Sequence, residues 1–466
     1  MSKKKNPAKS ALVSARGVED AEAARAFLAE RSTEEIECVV PDQGGVARGK
    51  IMPVSKFLSS PVMNLPLSIF YQCITGEYPD YEGLIDSVEA DTDLFMQPDW
   101  ATLTAVPWAT DPTAQVIHDA VTGDGRPVEQ APRQVLRRVR EQYRRKGWQP
   151  VVAPEIEFYL VEPNTDADYP LKPPVGRSGR PEIGRQGYSI SAVNEFNALF
   201  DDIYKYSEKQ GLAIDTLIHE DGAAQMEINL LHGDPLELAD QTFLFKRTIR
   251  EAAMMHKIYA TFMAKPIADE PGSALHVHQS VLDSEGRNIF SDPETGGPTP
   301  LFFSFLAGQQ KYLPAIMCML APYVNSYRRL TRDSMAPINV QWGYDNRTAG
   351  LRVPPSGPQA RRVENRVPGS DANPYLAIAA SLAAGYLGMT EGLEATAPID
   401  TNANNSDYEL PRGLLEAVAE LEDCEPINQL MGVSFVSAYA AIKKQEFETY
   451  MRVISPWERE YLLLNV

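Results

Sequence analysis

Alternation of apolar and polar positions is sharpest in VVAPEIEFYLVEP (residues 151–163), where Val, Ile, Phe and Leu spell a buried strand and Glu155 and Glu157 interrupt it. Strand side chains point to alternate faces, so the two carboxylates share one face and Ile156 and Phe158 the other. Paired negative charges in an apolar neighbourhood are costly, through desolvation and repulsion. Three further stretches repeat the feature. AAQMEINLL sets Gln225, Glu227 and Asn229 against Met226, Ile228 and Leu230, with Glu220 one bend upstream in LIHEDG. GSALHVHQSV sets His276, His278 and Ser280 against Leu275, Val277 and Gln279, and RRVENRVP aligns Arg362, Glu364 and Arg366.

Around these strands the pattern predicts a short amphipathic helix over 18–30, then a strand, IECVVPD. The polar turn DQGG (42–45) followed by VARGKIMPV predicts a hairpin. From there to about Arg126 the chain is rich in Pro, Asp and Thr, with short strands and no long helix: a small β-rich domain. EQAPRQVLRRVREQYRRKG (129–147) is a helix with one apolar face and Gly147 as its stop. Strands follow at 150–162, 224–231 and 273–282, mixed with helices over 236–263 and 373–393. They do not alternate as βαβ units, which gives an α+β class with a mainly antiparallel sheet. No internal repeat is visible.

Composition narrows the setting. The 466 residues, 44% hydrophobic and 23% charged, suit a soluble protein of more than one domain. No apolar run approaches a membrane span, and MSKKKNPAKS is basic without the apolar stretch of a secretory signal, which predicts a tail and no membrane. Cys38, Cys73, Cys318 and Cys424 are scattered, as expected of reduced thiols in a cytoplasmic protein. A net charge of −19 argues against nucleic acid as a partner.

Five carboxylates and an imidazole converge only if something positive holds them. Oxygen-dominated ligation with one histidine suits Mg2+ or Mn2+ better than zinc. Arginines beside the carboxylates imply that anions also arrive, and metal, arginine and anion together are what phosphoryl transfer needs. Neither a Walker A motif nor a GxGxxG helix start is present.

APEIEFYL, HEDGAAQMEIN, GSALHVHQS, NSYRRL, DNRTAGLRVP and ARRVENRVPGSDANPYLA together resemble the glutamine synthetase superfamily, from about Ile36 to the C-terminus. RGKIMPVS, ATFMAKP and QGYSISAVNEF resemble its glutamate–amine ligase branch, typified by γ-glutamylputrescine synthetases. The resemblance implies a tail and short helix over 1–32, a β-grasp domain over 33–127 and a catalytic domain with a curved antiparallel sheet over 128–466. It also implies a cytoplasmic homo-oligomer, a dodecamer of two hexameric rings, acting on L-glutamate, ATP and a small amine. By motif, Glu157, Glu220 and Glu227 would hold one Mg2+ or Mn2+, and Glu155, His276 and Glu364 a second. Gly272, Arg329, Arg347 and Arg366 would hold glutamate; His278, Ser280, Arg347, Arg352 and Arg362 would hold ATP. Glu220, Arg347 and Tyr188 would form the catalytic set, with Tyr188 facing the amine.

The expected activity is ATP-dependent ligation of the glutamate γ-carboxylate to a polyamine such as putrescine, or to a monoamine, through γ-glutamyl phosphate. The alternatives are a conventional ammonia-using glutamine synthetase and a non-catalytic relative. Met335 stands where ammonia-using members carry a flap glutamate, and a thioether cannot bind ammonium. Pro271 and Gln359 also depart from the ammonia-using pattern, GEYPDYEG (76–83) replaces the ammonium loop, and Tyr408 lies where some relatives are adenylylated.

Overall fold

A computed structural model of the chain describes residues 15–79, 91–332, 334, 336–405 and 407–466. Helix α1 (Ala21–Glu30) starts later than predicted because Asp20 caps it, accepting from the Glu22 and Ala23 N–H groups. Strands β1 (Glu35–Pro41) and β2 (Ala47–Pro53) form the hairpin that DQGG predicts. The Asp42 carboxylate accepts from the Val46 N–H at 2.8 Å, and Gly45 takes φ +74°, which glycine adopts without strain. With β3 (Met63–Pro66), β4 (Asp93–Pro98), β5 (Thr104–Ala105) and β6 (Thr113–Val121) they make, among the described residues, a six-stranded sheet of order β2-β1-β6-β4-β3, with β5 beside β6. The β1–β6 pair is parallel and closes the N-terminal sheet over Ile36, Cys38 and Val40.

The second sheet has eight strands among the described residues: β7 (Gln149–Val161), β8 (Ile214–His219), β9 (Gln225–Leu230), β10 (Tyr259–Thr261), β11 (Leu275–Leu282), β12 (Trp342–Tyr344), β13 (Leu351–Val353) and β14 (Val363–Asn365). Their order is β12-β13-β14-β11-β7-β9-β8, with β10 paired to the end of β7. All pairs are antiparallel except β12–β13. The apolar face carries Ile156, Phe158, Ile228, Leu275 and Val277, all at most 1% exposed. They share one core with helices α2 (Pro132–Arg145), α3 (Pro235–Met255), α4 (Pro300–Leu320) and α5 (Pro374–Glu391). At about 1.5–3 kcal/mol for each fully buried large apolar side chain, that face holds the sheet in place. The other face is left to the charged residues.

One predicted element is corrected. The helix expected over 236–263 ends at Met255, because Lys257 turns to φ +59° and the Ile258 N–H returns to the Ala253 carbonyl. The residues beyond it pair with β7 as strand β10, satisfying the edge of that long strand. The helix expected over 129–147 and the strands expected at 150–162, 224–231 and 273–282 each lie within a few residues of prediction. Among the described residues, no helix is long and apolar enough to cross a membrane. The four cysteines are free.

A buried ion cluster joins the two sheets. Arg133 on α2, 3% exposed, donates to Asp240 of α3 through Nε at 2.9 Å and Nη2 at 2.8 Å. It also reaches Asp119 of β6 at 2.6 Å and Asp99, just after β4, at 2.7 Å. Tyr375 donates its hydroxyl to Asp240 at 2.7 Å. Removing one member leaves uncompensated buried charge, typically about 3–5 kcal/mol. Arg133→Met is therefore expected to lower stability by about that amount, read from the midpoint of chemical denaturation. Arg126→Met, which breaks only an exposed pair with Asp124, is expected to shift the midpoint little.

Candidate active site

Strand register assembles the polar face in rows. Glu155 of β7 lies opposite His276 of β11 on one side and Asn229 of β9 on the other. Glu157 lies opposite Glu227. His278 lies opposite Glu364 of β14, which in turn lies opposite Arg352 of β13. Glu220 joins from the turn between β8 and β9. Four local period-two patterns thus become one surface because antiparallel pairing keeps side chains of matched parity on the same side.

Carboxylate oxygens of Glu157, Glu220 and Glu227 lie within 4.8 Å of one another, a triad able to hold a cation. Glu155 forms two further overlapping triads, one with Glu227 and His276 and one with His278 and Glu364. His276 Nδ1 is 3.3 Å from Glu155 and 3.8 Å from Glu364, so the expected second set is also brought together. One residue has contacts that the strand pattern does not predict. His278, assigned to the nucleotide end, bonds Glu155 through Nε2 at 2.6 Å, and its Nδ1 accepts from Arg362 Nε at 3.1 Å. It therefore stands between the carboxylate cluster and that arginine.

The electrostatics divide the cluster in two. Burial, then the neighbouring Glu220, pushes the Glu157 carboxyl up to about 8. Burial, then Glu155, Glu157 and Glu220, pushes Glu227 up to about 9, and burial raises Glu220 as well. On the other side, against burial, Arg366 and then His276 hold Glu364 down at about 2. Hydrogen bonds from His276 and His278 likewise hold Glu155 well below the carboxylate range despite its burial. Burial, then Arg366, lowers His276 to about 4, leaving its imidazole neutral and fit to ligate. Among the described residues no arginine or lysine hydrogen-bonds Glu157, Glu220 or Glu227, and an oxygen-rich set of that kind fits Mg2+ or Mn2+.

The arginines surround this surface. Glu364 is gripped by Arg352 at 2.7 Å and by a short contact from Arg366. Arg366 Nε also donates to the Arg347 carbonyl at 3.2 Å, while the Arg347 residue is exposed. Arg329, 3% exposed, spends Nη1 and Nη2 on the Val367 and Arg366 carbonyls, and burial pulls its guanidinium down to about 10. Gly272 abuts it. A Cβ there would lie 2.6 Å from both the Ala264 carbonyl oxygen and Arg329 Cγ, so no larger residue fits. Ser280 and Arg362 line a cleft of about 370 Å³ with Ala153, Glu155, Asn229 and His278. Tyr188 is 68% exposed at φ +61°, its N–H donating to the His219 carbonyl at 2.9 Å. Tyr408 stands apart, its ring beside Arg332 and Arg412 and its hydroxyl accepting from the Arg332 N–H. Met335, and residues 80–83 of the GEYPDYEG stretch, lie outside the described residues.

Two polar residues read only as same-face neighbours in the sequence have defined contacts. Gln225, 1% exposed, donates to Glu157 at 3.4 Å and to the Gly272 carbonyl at 3.0 Å, and accepts from the Gly222 N–H at 3.0 Å. Asn229 donates to Glu227 at 3.0 Å. Their shared parity with Glu227 was the available signal.

The family model of the glutamine synthetase catalytic domain matches residues 129–462. The chain is 35% identical over 445 residues to γ-glutamylputrescine synthetase PuuA of Escherichia coli (strain K12), spanning 93% of this chain and 92% of that protein. It is 33% identical over 447 residues to the glutamate–isopropylamine ligase of a Pseudomonas species, spanning 93% and 96%. A solved structure of GmaS without ligand superposes with a TM-score of 0.78 at 28% identity, covering 94% of this chain and 99% of that one. Fold and site thus define an enzyme of the ligase class, with an α+β architecture of the glutamine synthetase type. The chain belongs to the glutamine synthetase family, whose members use ATP and divalent cations.

Raised carboxyls have a direct consequence for stability. In metal-free protein the folded state keeps protons on Glu157 and Glu227 that the unfolded chain releases above the ordinary carboxylate range, so this contribution to stability falls as pH rises toward about 8–9. Glu227→Gln is expected to gain stability relative to wild type as pH rises from ~5 to ~9. The gain is bounded by about 1.4 kcal/mol per pH unit and is measured by denaturation in excess chelator.

Proposed function

We propose that the protein joins the γ-carboxylate of L-glutamate to a small amine at the cost of ATP, through γ-glutamyl phosphate. The carrying observation is the complete constellation on one sheet face: three overlapping triads of possible ligands, flanked by Arg329, Arg352, Arg362 and Arg366. A family member that had abandoned chemistry would have little reason to keep such crowded charge. Two of the similar proteins are named for ligating putrescine and isopropylamine, which supports an organic amine as acceptor.

In this reading Glu157, Glu220 and Glu227 hold one Mg2+ or Mn2+, and Glu155, His276 and Glu364 hold the other. Cations bound there would neutralise phosphate charge as the phosphoryl group moves. The chain's own residues do the rest. Gly272 gives glutamate close access to backbone, and Arg329 and Arg366 bind its charged groups. Arg347, Arg352 and Arg362 face the triphosphate, with His278 and Ser280 lining the nucleotide end of the cleft. A carboxylate resists amines because it is anionic and lacks a leaving group. Transfer of the γ-phosphoryl group to its oxygen, releasing ADP, supplies one. The amine nitrogen then attacks the acyl carbon, phosphate departs, and the nitrogen loses a proton to give the amide. Positioning supplies much of the rate. Tyr188 faces the incoming amine, and Glu220 and Arg347 complete the catalytic set. The same reading takes residues 33–127 as a β-grasp domain and 128–466 as the catalytic domain, assembled as two hexameric rings. Tyr408 is left without a role.

The deciding measurement is phosphate release with ATP, Mg2+ and glutamate across putrescine, spermidine, ethanolamine, simple alkylamines and ammonium. Preference for an organic amine is expected; preference for ammonium overturns the amine assignment. A Mn2+ titration of metal-free protein, following the free ion by electron paramagnetic resonance, is expected to show two sites. Glu220→Gln and Glu155→Gln should each weaken one, by about 10–100-fold if one ligand of several is lost.

A further inference from the structure

Most of the stretch from residue 177 to 188 is exposed, yet the Glu182 side chain within it is only 10% exposed. Its carboxylate faces His219, whose side chain is fully buried, with Oε2 at 3.0 Å and Oε1 at 3.3 Å from Nε2. The same Oε2 accepts from the Ala224 N–H at 2.7 Å. On the far side of the ring, His219 Nδ1–H donates to the Glu220 carbonyl at 2.6 Å. The loop comes back to the same residue where the Tyr188 N–H donates to the His219 carbonyl.

This unit holds two residues in an uncommon conformation. Tyr188 and Ala224 are non-glycine residues at φ +61° and +57°, a region that L side chains visit only when their surroundings compel it. Each has its N–H fixed by the unit, Tyr188 by the His219 carbonyl and Ala224 by Glu182. Between them lies Glu220. The turn has little slack, since a Cβ on Gly222 would lie 1.9 Å from the Tyr159 hydroxyl.

We propose that Glu182 is a positioning residue: through His219 it fixes the Glu220 turn and the Tyr188 backbone together, coupling a cation ligand to the amine-facing loop. A buried carboxylate reaching out of an otherwise exposed loop has no need of His219 for solubility. Among the described residues its hydrogen bonds go to His219 and Ala224, which flank the turn that carries Glu220. Outer partners of this kind orient ligating groups without touching the reacting atoms.

The inference rests on the roles proposed for Glu220 and Tyr188, so wild type is measured beside the variants. In full-length Glu182→Ala, the apparent KM for the amine is expected to rise and one Mn2+ site of the metal-free protein to weaken, each by about tenfold, with the KM for ATP essentially unchanged. Glu182→Gln, which keeps an oxygen for the Ala224 N–H, should stay close to wild type. Glu182→Asp, one methylene too short to reach both donors, should shift the same two constants less than Ala does. If Glu182→Ala does not fold, Glu182→Asp decides alone. Folded Glu182→Ala, or Glu182→Asp where Ala does not fold, with unchanged Mn2+ affinity and amine KM overturns the inference, as does a loss shared equally by the ATP constant. Wild type without Mn2+ binding or amine-dependent phosphate release would instead overturn the functional reading on which it stands.

Discussion

Confining several carboxylates to one dry surface is the constraint to which the rest of the molecule answers. Like charges at close range raise one another's affinity for protons, and burial raises it further. A helix could present one stripe of such groups, but neighbouring strands present a field of them while giving the reverse face wholly to apolar packing. Ile156 and Phe158 behind Glu155 and Glu157 show the division residue by residue. The core anchors the strands so firmly that the polar face cannot relieve its repulsion by splaying. Relief has to come from protons, from arginines or from cations.

Among the described residues the arginines hydrogen-bond on one side only. Arg352 and Arg366 saturate Glu364, and the two histidines lean on Glu155. No arginine hydrogen-bonds Glu157, Glu220 or Glu227 among the described residues; the two strand glutamates, Glu157 and Glu227, are served by the amides of Gln225 and Asn229. An amide orients a carboxylate without cancelling its charge. The geometry is thereby kept while the demand for positive charge persists, which is the state a cation site requires before its cation arrives.

How much of this could be read from the sequence follows from the range of the interactions. Period-two alternation is local, so EIEFYL, QMEINL and LHVHQS each declared their polar face without a structure. The hairpin at DQGG and the helix stopped at Gly147 were equally local. Register is not local: nothing in the sequence alone sets His278 against Glu364 while hydrogen-bonding it to Glu155. Arg133 sits in RQVLRRVR, which reads as a solvated basic face, yet its partner Asp240 is 107 residues away. The overextended helix failed for the same reason. Residues 256–263 look helical until the open edge of β7 competes for them.

Long-range ion pairs and short-range strain meet at the turn carrying Glu220. Strand residues are held by ladders on both sides, but a turn residue has none and drifts unless something outside the sheet pins it. Here the Glu220 N–H is tied to the Gln225 carbonyl and its own carbonyl to His219. Tyr188 and Ala224 absorb the unfavourable dihedrals that this path demands. Such conformations persist only where surrounding contacts over-determine them, and the compelling contacts converge on a buried carboxylate–imidazole pair. The sheet supplies five of the six side chains proposed as cation ligands by parity alone. The sixth needs a dedicated brace, and that asymmetry explains why an exposed loop reaches inward at Glu182.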